Sequence, residues 1–336
     1  MMQNKEIYNQ FKALTSNNSE NASSYLVLPI LNTQHKLGCS KEGYPKFFIF
    51  TSGEDLQTNN TILNILTVEY NLSCTFVNDY NIPVINNYSV LTLKSADSNL
   101  QEIFIDLVIM MFSRLSENPS RRDIAIEVEN LISIFSALVC PPRKKIQGLW
   151  TELLVIERSS NPETLTHAWH ESPIAKYDFT MGRDKIEVKS TCNENRNHHF
   201  SLDQLCPSTH SNVVIASSIV RESGPGNGGL SVNDLIGRVF NKGLSVDAKI
   251  HILKVVTETI GKDIYLINKI YFDYIEASDT LRFYDATKIP AIDKSGIHNG
   301  VTSVGFNSNL SGIDDIKSPN SDFKIKGSPL YNCLFH

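Results

Sequence analysis

Residues 177–189 read Tyr-Asp-Phe-Thr-Met-Gly-Arg-Asp-Lys-Ile-Glu-Val-Lys, a run of strand-forming residues interrupted by one glycine. Gly182-Arg183 suits a two-residue hairpin turn, because a type II′ turn favours glycine at its first central position. Met181 then pairs with Asp184, and each preceding residue pairs with the residue one step further along the second strand. The sequence therefore predicts a β-hairpin of defined register.

This register separates the side chains of the hairpin by chemical type. Alternate residues of a strand point to opposite faces, and a shift of one residue would mix the two sets. The apolar face carries Tyr177, Phe179, Ile186 and Val188, and the polar face carries Asp178, Thr180, Lys185, Glu187 and Lys189. The clean separation supports the predicted pairing.

The predicted pairing makes Asp178 and Glu187 direct cross-strand neighbours, with Cβ atoms roughly 5 Å apart. Two adjacent carboxylates repel each other unless a cation lies between them. Mg²⁺ prefers oxygen ligands of this kind, and Lys189 on the same face can reach a water molecule or a phosphate. Two carboxylates, one lysine and an open metal position are the ingredients for metal-assisted attack of water on a phosphodiester. A solvated hairpin face with alternating acids and lysines explains the same pattern, so both interpretations remain open.

A helix predicted over residues 147–158 supplies a third acid. Glu152 lies on its apolar stripe, whose neighbouring members are Leu149, Val155 and Ile156. An inward-facing carboxylate is costly unless it meets a cation or hydrogen-bond donors. A metal centre on the adjacent sheet is one such partner, and a buried ion pair with Arg158 or Lys176 is the alternative. Glu157, on another side of the helix, is expected to face water.

The remaining pattern predicts two domains, residues 1–140 and 141–336, separated at Cys140-Pro141-Pro142, because a double proline cannot continue a helix. The N-terminal domain is predicted to be α+β. Its predicted strands are 25–29, 47–51, 61–68, 74–77 and 88–93. Its predicted helices are 99–115 and 121–138, and Ser120 is the predicted N-cap of the latter. The C-terminal domain is predicted to be α/β. It is expected to have an extended segment from residue 159 through Trp169 and helices at 232–240 and 247–258. Its further predicted strands are 211–220, 269–275, 281–285 and 301–306.

Composition excludes several classes of protein. The chain has 336 residues, of which 41% are hydrophobic and 20% charged, as in ordinary globular proteins. Its six cysteines include no CxxC pair, which disfavours a zinc site or disulfide framework and favours the cytoplasm. No segment reads as a signal peptide or a membrane span, so no membrane role is expected. The net charge of −5 is the sum of −5 for residues 1–140 and zero for residues 141–336, so binding of nucleic acid must rely on a local patch.

Five short motifs, in this order, resemble those of the PD-(D/E)XK nuclease superfamily. They are Leu149-Trp150-Thr151-Glu152-Leu153, Ala168-Trp169-His170, Tyr177-Asp178-Phe179, Ile186-Glu187-Val188-Lys189-Ser190-Thr191 and Asp203-Gln204-Leu205. Within this superfamily the chain resembles a bacterial group of PD-(D/E)XK family proteins that is often encoded beside helicase and ATPase genes in phage-defence loci. The proline of the PD motif is absent, because Tyr177 stands immediately before Asp178.

The resemblance assigns a role to each matching position. It implies that Asp178 and Glu187 are metal ligands, assisted by the backbone carbonyl of Val188, and that Lys189 orients or activates the attacking water. It also implies that Glu152 binds a second metal ion or holds the other ligands, and that Gln204 contacts the lysine or the DNA backbone. The implied cofactor is Mg²⁺, with Mn²⁺ as a substitute.

The resemblance also implies a fold and a function. The fold is a restriction-endonuclease-like mixed β-sheet core flanked by helices, joined to an N-terminal α+β domain for targeting or assembly. The function is Mg²⁺-dependent DNA endonuclease activity in bacterial restriction or phage defence, with a helicase or ATPase partner or a homodimer delivering the DNA. The alternatives are a non-catalytic DNA-binding or scaffold subunit, and a nuclease acting on RNA or in repair.

The histidines are not predicted to be metal ligands. His198-His199 stands in an asparagine-rich segment that reads as a polar loop. His167 and His170 flank Trp169 at strand-like spacing, which favours a half-exposed strand over a ligand pair, although His170 can still approach the scissile bond.

Overall fold

The computed structural model describes residues 2–16, 27–30, 33–51, 60–62, 65–77, 82–116, 119–138, 140, 145–170, 175–206, 211–226, 228–298, 300–317 and 327–335. The chain divides into two compact units. The first comprises Met1–Pro141 and Gly261–Tyr265, and the second comprises Pro142–Ile260 and Leu266–His336. The predicted boundary residues Pro141-Pro142 lie outside the described residues.

The first unit combines helices with an antiparallel sheet. Its described elements are α1 (Met2–Ser16), β1 (Val27–Pro29), β2 (Lys36–Cys39), β3 (Pro45–Phe50), β4 (Thr61–Ile62), β5 (Leu66–Val77), β6 (Pro83–Leu93), α2 (Ser98–Phe112) and α3 (Arg121–Ala137). The strand order is β1-β2-β3-β6-β5-β4. The predicted helices and the strands predicted near 25–29, 47–51 and 88–93 are confirmed. The strands predicted at 61–68 and 74–77 are instead the short β4 and one continuous strand, β5, and α1 and β2 have no counterpart in the prediction.

Local capping explains where the helices of this unit begin. Asp97 accepts a hydrogen bond from the Leu100 amide at 2.9 Å and starts α2. Ser120 caps α3 as predicted, and it forms a capping box with Asp123. Such side chains satisfy amide groups that have no partner within the first turn of a helix.

The sheet of the first unit has an apolar face on each side. On one side Phe47 packs edge-on against Phe104 of α2, with ring centroids 5.6 Å apart. On the other side Phe48, Phe76 and Tyr88 form a cluster of edge-to-face rings. Phe76 belongs to the far end of β5, beyond an irregularity between Glu69 and Leu72, so the end of this hairpin lies over the same face as Phe48.

The second unit holds the predicted hairpin. Its described elements are α4 (Ile146–Arg158), α5 (Pro162–Ala168), β7 (Phe179–Met181), β8 (Asp184–Thr191), β9 (Asn197–Ser201), α6 (Leu202–Leu205), β10 (Asn212–Ile219), β11 (Glu222–Ser223), β12 (Gly229–Ser231), α7 (Val232–Phe240), α8 (Val246–Ile260), β13 (Tyr271–Asp273), α9 (Tyr274–Asp279), β14 (Arg282–Asp285), β15 (Gly305–Asn309) and α10 (Pro329–Asn332). Short 3₁₀ helices occur at Gly261–Asn268, Ala286–Lys288 and Lys294–Gly296.

The central sheet of this unit is mixed, as predicted. Its strand order is β14-β10-β8-β7, with β8 parallel to β10 and the two outer strands antiparallel to their neighbours. Helix α4 packs against β8 and α7, and the Trp150 indole donates to the Leu230 carbonyl at 2.8 Å. A mixed sheet with flanking helices confirms the predicted α/β fold class.

Tyr331 of α10 fastens the two central strands together. Its hydroxyl donates to the Asn212 carbonyl at 2.7 Å and accepts from the Lys185 amide at 3.1 Å. The side chain is fully buried, and burial raises the pKa of the phenol. Tyr331 therefore satisfies polar groups at the start of both β8 and β10.

The segment before Trp169 is helical, which corrects the expected extended structure. Asn161 accepts a hydrogen bond from the Thr164 amide at 3.0 Å, and Pro162 occupies the first turn of α5. Proline is favoured at this position because its missing N–H has no helical partner in any case. The Asn-Pro pair thus starts a helix that ends at Ala168, and only the residues around Trp169 are extended.

Glu157 is buried, which corrects its expected exposure to water. Only 4% of the residue is exposed. Its carboxylate accepts from the Tyr274 hydroxyl at 2.8 Å and from Arg238 Nε at 3.3 Å, and Lys242 Nζ lies 3.7 Å away. Cationic side chains from α7 and the residues after it make this burial possible, since a buried acid requires donors or opposite charge.

His198 lies in β9, which corrects the predicted polar loop. Its Nε2 is 2.8 Å from Ser217 Oγ, and Arg196 Nη1 donates to the same oxygen at 2.9 Å. Burial, followed by the positive charges of Lys189 and Arg196, lowers the pKa of His198 to about 4. The imidazole is therefore neutral at neutral pH.

The depressed pKa of His198 predicts acid sensitivity. A histidine in the unfolded chain titrates near pH 6.5, so the unfolded state takes up a proton first as the pH falls. Stability contributed by His198 is present above about pH 6.5 and declines down to about pH 4, by about 3 kcal/mol at most. We expect His198→Asn to flatten the decline of the unfolding free energy between pH 7 and pH 4.5, measured by urea denaturation.

The exposed neighbour provides the control for this experiment. His199→Asn should keep the pH dependence of the wild-type protein. Equal slopes in the wild type and His198→Asn would contradict a neutral, buried His198.

Candidate active site

Four segments of the second unit meet beside the edge strand β7. They are α4, the residues that follow α5, the β7–β8 hairpin and α6. The hairpin has the predicted register, with Phe179 paired to Ile186 and Met181 to Asp184. Gly182 has a φ of 58°, as the predicted turn requires. The ladder ends at Phe179, one pair short of Asp178 and Glu187.

Glu152 projects from α4 into the interior, with 3% of the residue exposed. Its Oε2 accepts a hydrogen bond from the Trp169 indole at 2.7 Å. The indole is itself buried and stacks on Phe179, with ring centroids 6.2 Å apart. The sequence-based expectation of an inward-facing acid is therefore met by the geometry. Of the two alternative partners, Lys176 lies 3.8 Å from Asp203, and Arg158 is exposed at the end of α4.

Asp178 stands immediately before β7 and is 5% exposed. Its Oδ2 accepts a hydrogen bond from the Val188 amide at 2.7 Å, and its backbone carbonyl accepts from the His170 amide at 3.0 Å. Asp178 is thus fixed by β8 on one side and by residue 170 on the other. At Val188 the structure shows this amide contact, and the predicted carbonyl ligand remains a prediction.

His170 also lies at this site, although the sequence predicted no ligand role for it. An isolated antiparallel bridge between Trp169 and Phe179 places it alongside Asp178. His170 Nε2 lies 3.7 Å from Asp178 Oδ1, whereas His167 contacts the carboxylate of Glu163. The available signal was the quoted motif Ala168-Trp169-His170, whose histidine follows the tryptophan that binds Glu152.

Glu152, His170 and Asp178 form a candidate metal site. One ligand atom from each of the three lies within 4.8 Å of the other two. Two carboxylates and one imidazole fit a divalent cation, since carboxylates suit hard ions and imidazole suits first-row transition ions. The residues present are therefore compatible with the implied metal ion.

Glu187 belongs to a second cluster. Its Oε1 accepts a hydrogen bond from Gln204 Nε2 at 2.6 Å and lies 2.8 Å from Lys189 Nζ. Lys189 also donates to Gln204 Oε1 at 3.4 Å and lies over the Phe200 ring, 5.2 Å from its centroid. The ammonium is therefore held by a charge, an amide oxygen and an aromatic face.

The structure thus brings all of the predicted side chains to one region but divides them between two clusters. Glu152 and Asp178 share the metal-compatible cluster with His170, while Glu187, Lys189 and Gln204 form the other. The clusters adjoin, because Val188 binds Asp178 through its amide and lies between Glu187 and Lys189 in β8. Glu187, predicted as a ligand, is engaged by the lysine and the glutamine.

Comparison with protein families identifies the chain. A family model described as "Putative PD-(D/E)XK family member" matches residues 7–311. The chain belongs to this PD-(D/E)XK family. The model extends over most of both units, so the first unit is part of the family's shared sequence. PD-(D/E)XK nucleases generally use divalent metal ions, which agrees with the donor set of the candidate site.

Other comparisons add no relative. No curated protein and no solved structure matches the chain significantly. Among the described residues, no helix has the length and apolar character needed to cross a membrane.

The candidate metal site predicts a change in thermal stability on binding of metal. We expect Mn²⁺ at about a hundredfold excess over its dissociation constant to add roughly 2.7 kcal/mol and to raise the Tm by several degrees. Glu152→Gln keeps an oxygen acceptor for Trp169 but removes a ligand charge, so it should abolish this increase, as measured by differential scanning calorimetry.

Glu222, an exposed acid of β11, provides the matched control. Glu222→Gln should show the same Mn²⁺-induced increase as the wild type. An increase of wild-type size in Glu152→Gln would exclude Glu152 as a ligand.

Proposed function

We propose that this protein is a divalent-metal-dependent DNA endonuclease. The observation that carries the proposal is the cluster of two buried carboxylates, Glu152 and Asp178, with the half-buried His170, in the same region as a fixed lysine, Lys189. Buried acids that converge with an imidazole are expensive to maintain without a cation. An adjacent ammonium adds a second positive group suited to a phosphate.

The cation proposed for this cluster is Mg²⁺ or Mn²⁺, held by Glu152, Asp178 and His170. Glu187 and the carbonyl of Val188 remain proposed as further ligands, in line with the family motif. When bound, such an ion supplies Lewis-acid stabilisation of phosphate charge and makes water more acidic. The buried surroundings strengthen these electrostatic interactions, because little solvent screens them.

Lys189 is proposed to orient the attacking water and to offset the charge that develops on the phosphate. Glu187 holds its Nζ at 2.8 Å, and Gln204 binds both of these side chains. A lysine restrained in this way presents its charge without a cost of reorganisation during the reaction. Gln204 acts in this proposal as a positioning residue.

The proposed substrate is DNA. The proposed biological role is bacterial phage defence, and the proposed location is the cytoplasm. The net charge of −5 predicts weak DNA binding by the chain alone. A helicase or ATPase partner, or a second copy of the chain, is therefore proposed to bring the DNA to the site. This part of the proposal rests on the motif resemblance and on charge.

Cleavage of supercoiled plasmid DNA with Mg²⁺ or Mn²⁺ tests the activity. We expect nicking by the wild type, no detectable nicking by Asp178→Ala, and a loss of at least about 10² in rate for Lys189→Ala. Lys185→Ala alters a lysine nearer the turn on the same strand and should nick at the wild-type rate. Parallel digests of single-stranded DNA and RNA identify the preferred substrate.

Absence of cleavage has two distinguishable meanings in this experiment. If metal binding requires Asp178 but no substrate is cut, with or without a partner, the non-catalytic DNA-binding or scaffold role replaces the proposal. If neither metal binding nor cleavage occurs, the metal site itself is excluded.

His170 predicts the preference between the two metal ions. Imidazole nitrogen favours Mn²⁺ relative to Mg²⁺, whereas an all-oxygen site favours Mg²⁺. We expect His170→Asp to lower the ratio of Mn²⁺ to Mg²⁺ affinity, measured by calorimetric titration of both ions. His167→Asp is the control, because His167 contacts Glu163 outside the cluster. An unchanged ratio in His170→Asp would remove His170 from the ligand set.

A further inference from the structure

The first unit contains a separate cavity on its antiparallel sheet. Its volume is about 450 Å³, within the range typical of small-molecule sites. The lining includes charged side chains and hydroxyl groups. Its residues include Glu42, Tyr44, Lys46, Asn60, Ile62, Thr67, Glu69, Thr92 and Lys94. All of these residues belong to the first unit, so the cavity is distinct from the candidate metal site.

Two threonines form the floor of this cavity. Thr92 of β6 is paired directly with Thr67 of β5 and with Lys46 of β3, which places the three side chains on one face of the sheet. Thr92 and Thr67 are 5% and 7% exposed. Thr92 Oγ1 has no hydrogen-bond partner among the described residues. A buried hydroxyl without a partner is uncommon and costs free energy, so a ligand group that comes within hydrogen-bond distance of Thr92 Oγ1 would gain a favourable contact.

The walls and rim of the cavity carry both signs of charge. Lys46 and Glu69 are half-buried on its walls, and Glu42 and Lys94 are exposed at its rim. Such a lining suits a ligand that combines an anionic group with hydrogen-bond donors. Lysine binds phosphate, whereas a glutamate accepts from an exocyclic amino group of a base such as cytosine.

The cavity also has apolar and aromatic surface. Tyr44 is half-buried, and Ile62 of β4 is 75% exposed although it lines the cavity. Flat heteroaromatic rings pack well on such surfaces, and base-stacking on aromatic side chains is a common mode of binding single strands.

We propose that this cavity binds one nucleotide with an amino-bearing base, either free or as an unstacked unit of a single strand. Its phosphate meets Lys46 and Lys94, its base lies against Tyr44 and Ile62, and its polar edge reaches Thr92 and the glutamates. A nucleotide uses the cationic, anionic, hydroxyl and apolar groups of the lining at once. It is also a unit of the substrate proposed for the metal site, although the present inference does not depend on cleavage.

Binding without metal tests the proposal independently of catalysis. In EDTA, dCMP binding is measured by calorimetry, and binding of a labelled ten-residue oligo(dC) is measured by fluorescence anisotropy. Both are measured in the full-length chain carrying Asp178→Ala, which removes a proposed ligand of the other site. We expect Thr92→Val to weaken binding roughly five- to tenfold and Lys94→Gln roughly threefold, with a smaller salt dependence for the latter. We expect dTMP to bind more weakly than dCMP.

Matched variants define the controls for these measurements. Thr75→Val changes an exposed threonine of β5 outside the cavity, and Lys12→Gln changes an exposed lysine of α1, so neither should alter binding. Equal affinity per nucleotide for dCMP and oligo(dC) identifies a free nucleotide as the ligand, and much tighter oligo(dC) binding identifies a strand.

Three outcomes would overturn the inference. These are no binding of either probe, wild-type affinity in Thr92→Val, and equal affinity for dCMP and dTMP. None of them depends on whether Mg²⁺ or Mn²⁺ supports plasmid cleavage, so this inference and the proposed nuclease activity can fail separately.

Discussion

Burial of the Glu152 and Asp178 carboxylates constrains the architecture of the second unit, because a buried negative charge requires donors or cations around it. The Trp169 indole and the Val188 amide are two such donors. The indole is fixed by its stacking on Phe179 and by a backbone bridge to the same residue. The contacts that satisfy the acids are therefore also contacts that define the edge of the sheet.

The parallel pairing of β8 with β10 has a second consequence for the site. Parallel neighbours cannot be joined by a tight turn, so the chain must make a longer connection between them. That connection contains β9 and α6, and it brings Gln204 to within 2.6 Å of Glu187 on β8. Gln204, the third member of the polar cluster with Glu187 and Lys189, thus comes from the crossover connection that follows β8.

The sequence predicted those features that depend on local information. Gly182 and the alternation of side chains around it were sufficient for the hairpin register, and the periodicity of α4 was sufficient to place Glu152 inward. His170 could not be assigned in this way, because its position follows from a bridge between Trp169 and Phe179 that no local pattern encodes.

Partners distant in sequence account for the other differences. Glu157 is covered by Arg238 and Lys242, which a helical pattern in residues 147–158 does not reveal. His198 is drawn into a strand by pairing with Ser308 of β15, far along the chain.

Gln204 makes two sets of contacts, one with Glu187 and one with the start of α6. Its occurrence in a related sequence is therefore weak evidence that the relative is active. Besides binding Glu187, its side chain accepts from the Ser201 amide at 3.0 Å and completes the capping box of α6. A glutamine or glutamate three residues after serine is favoured in such a box whatever the neighbouring chemistry. Relatives that have lost the acids would therefore still retain Gln204 for the sake of the helix. Gln204 in an alignment therefore indicates the capped helix α6. Glu187 and Lys189 are the residues that distinguish a chain that keeps the whole polar cluster.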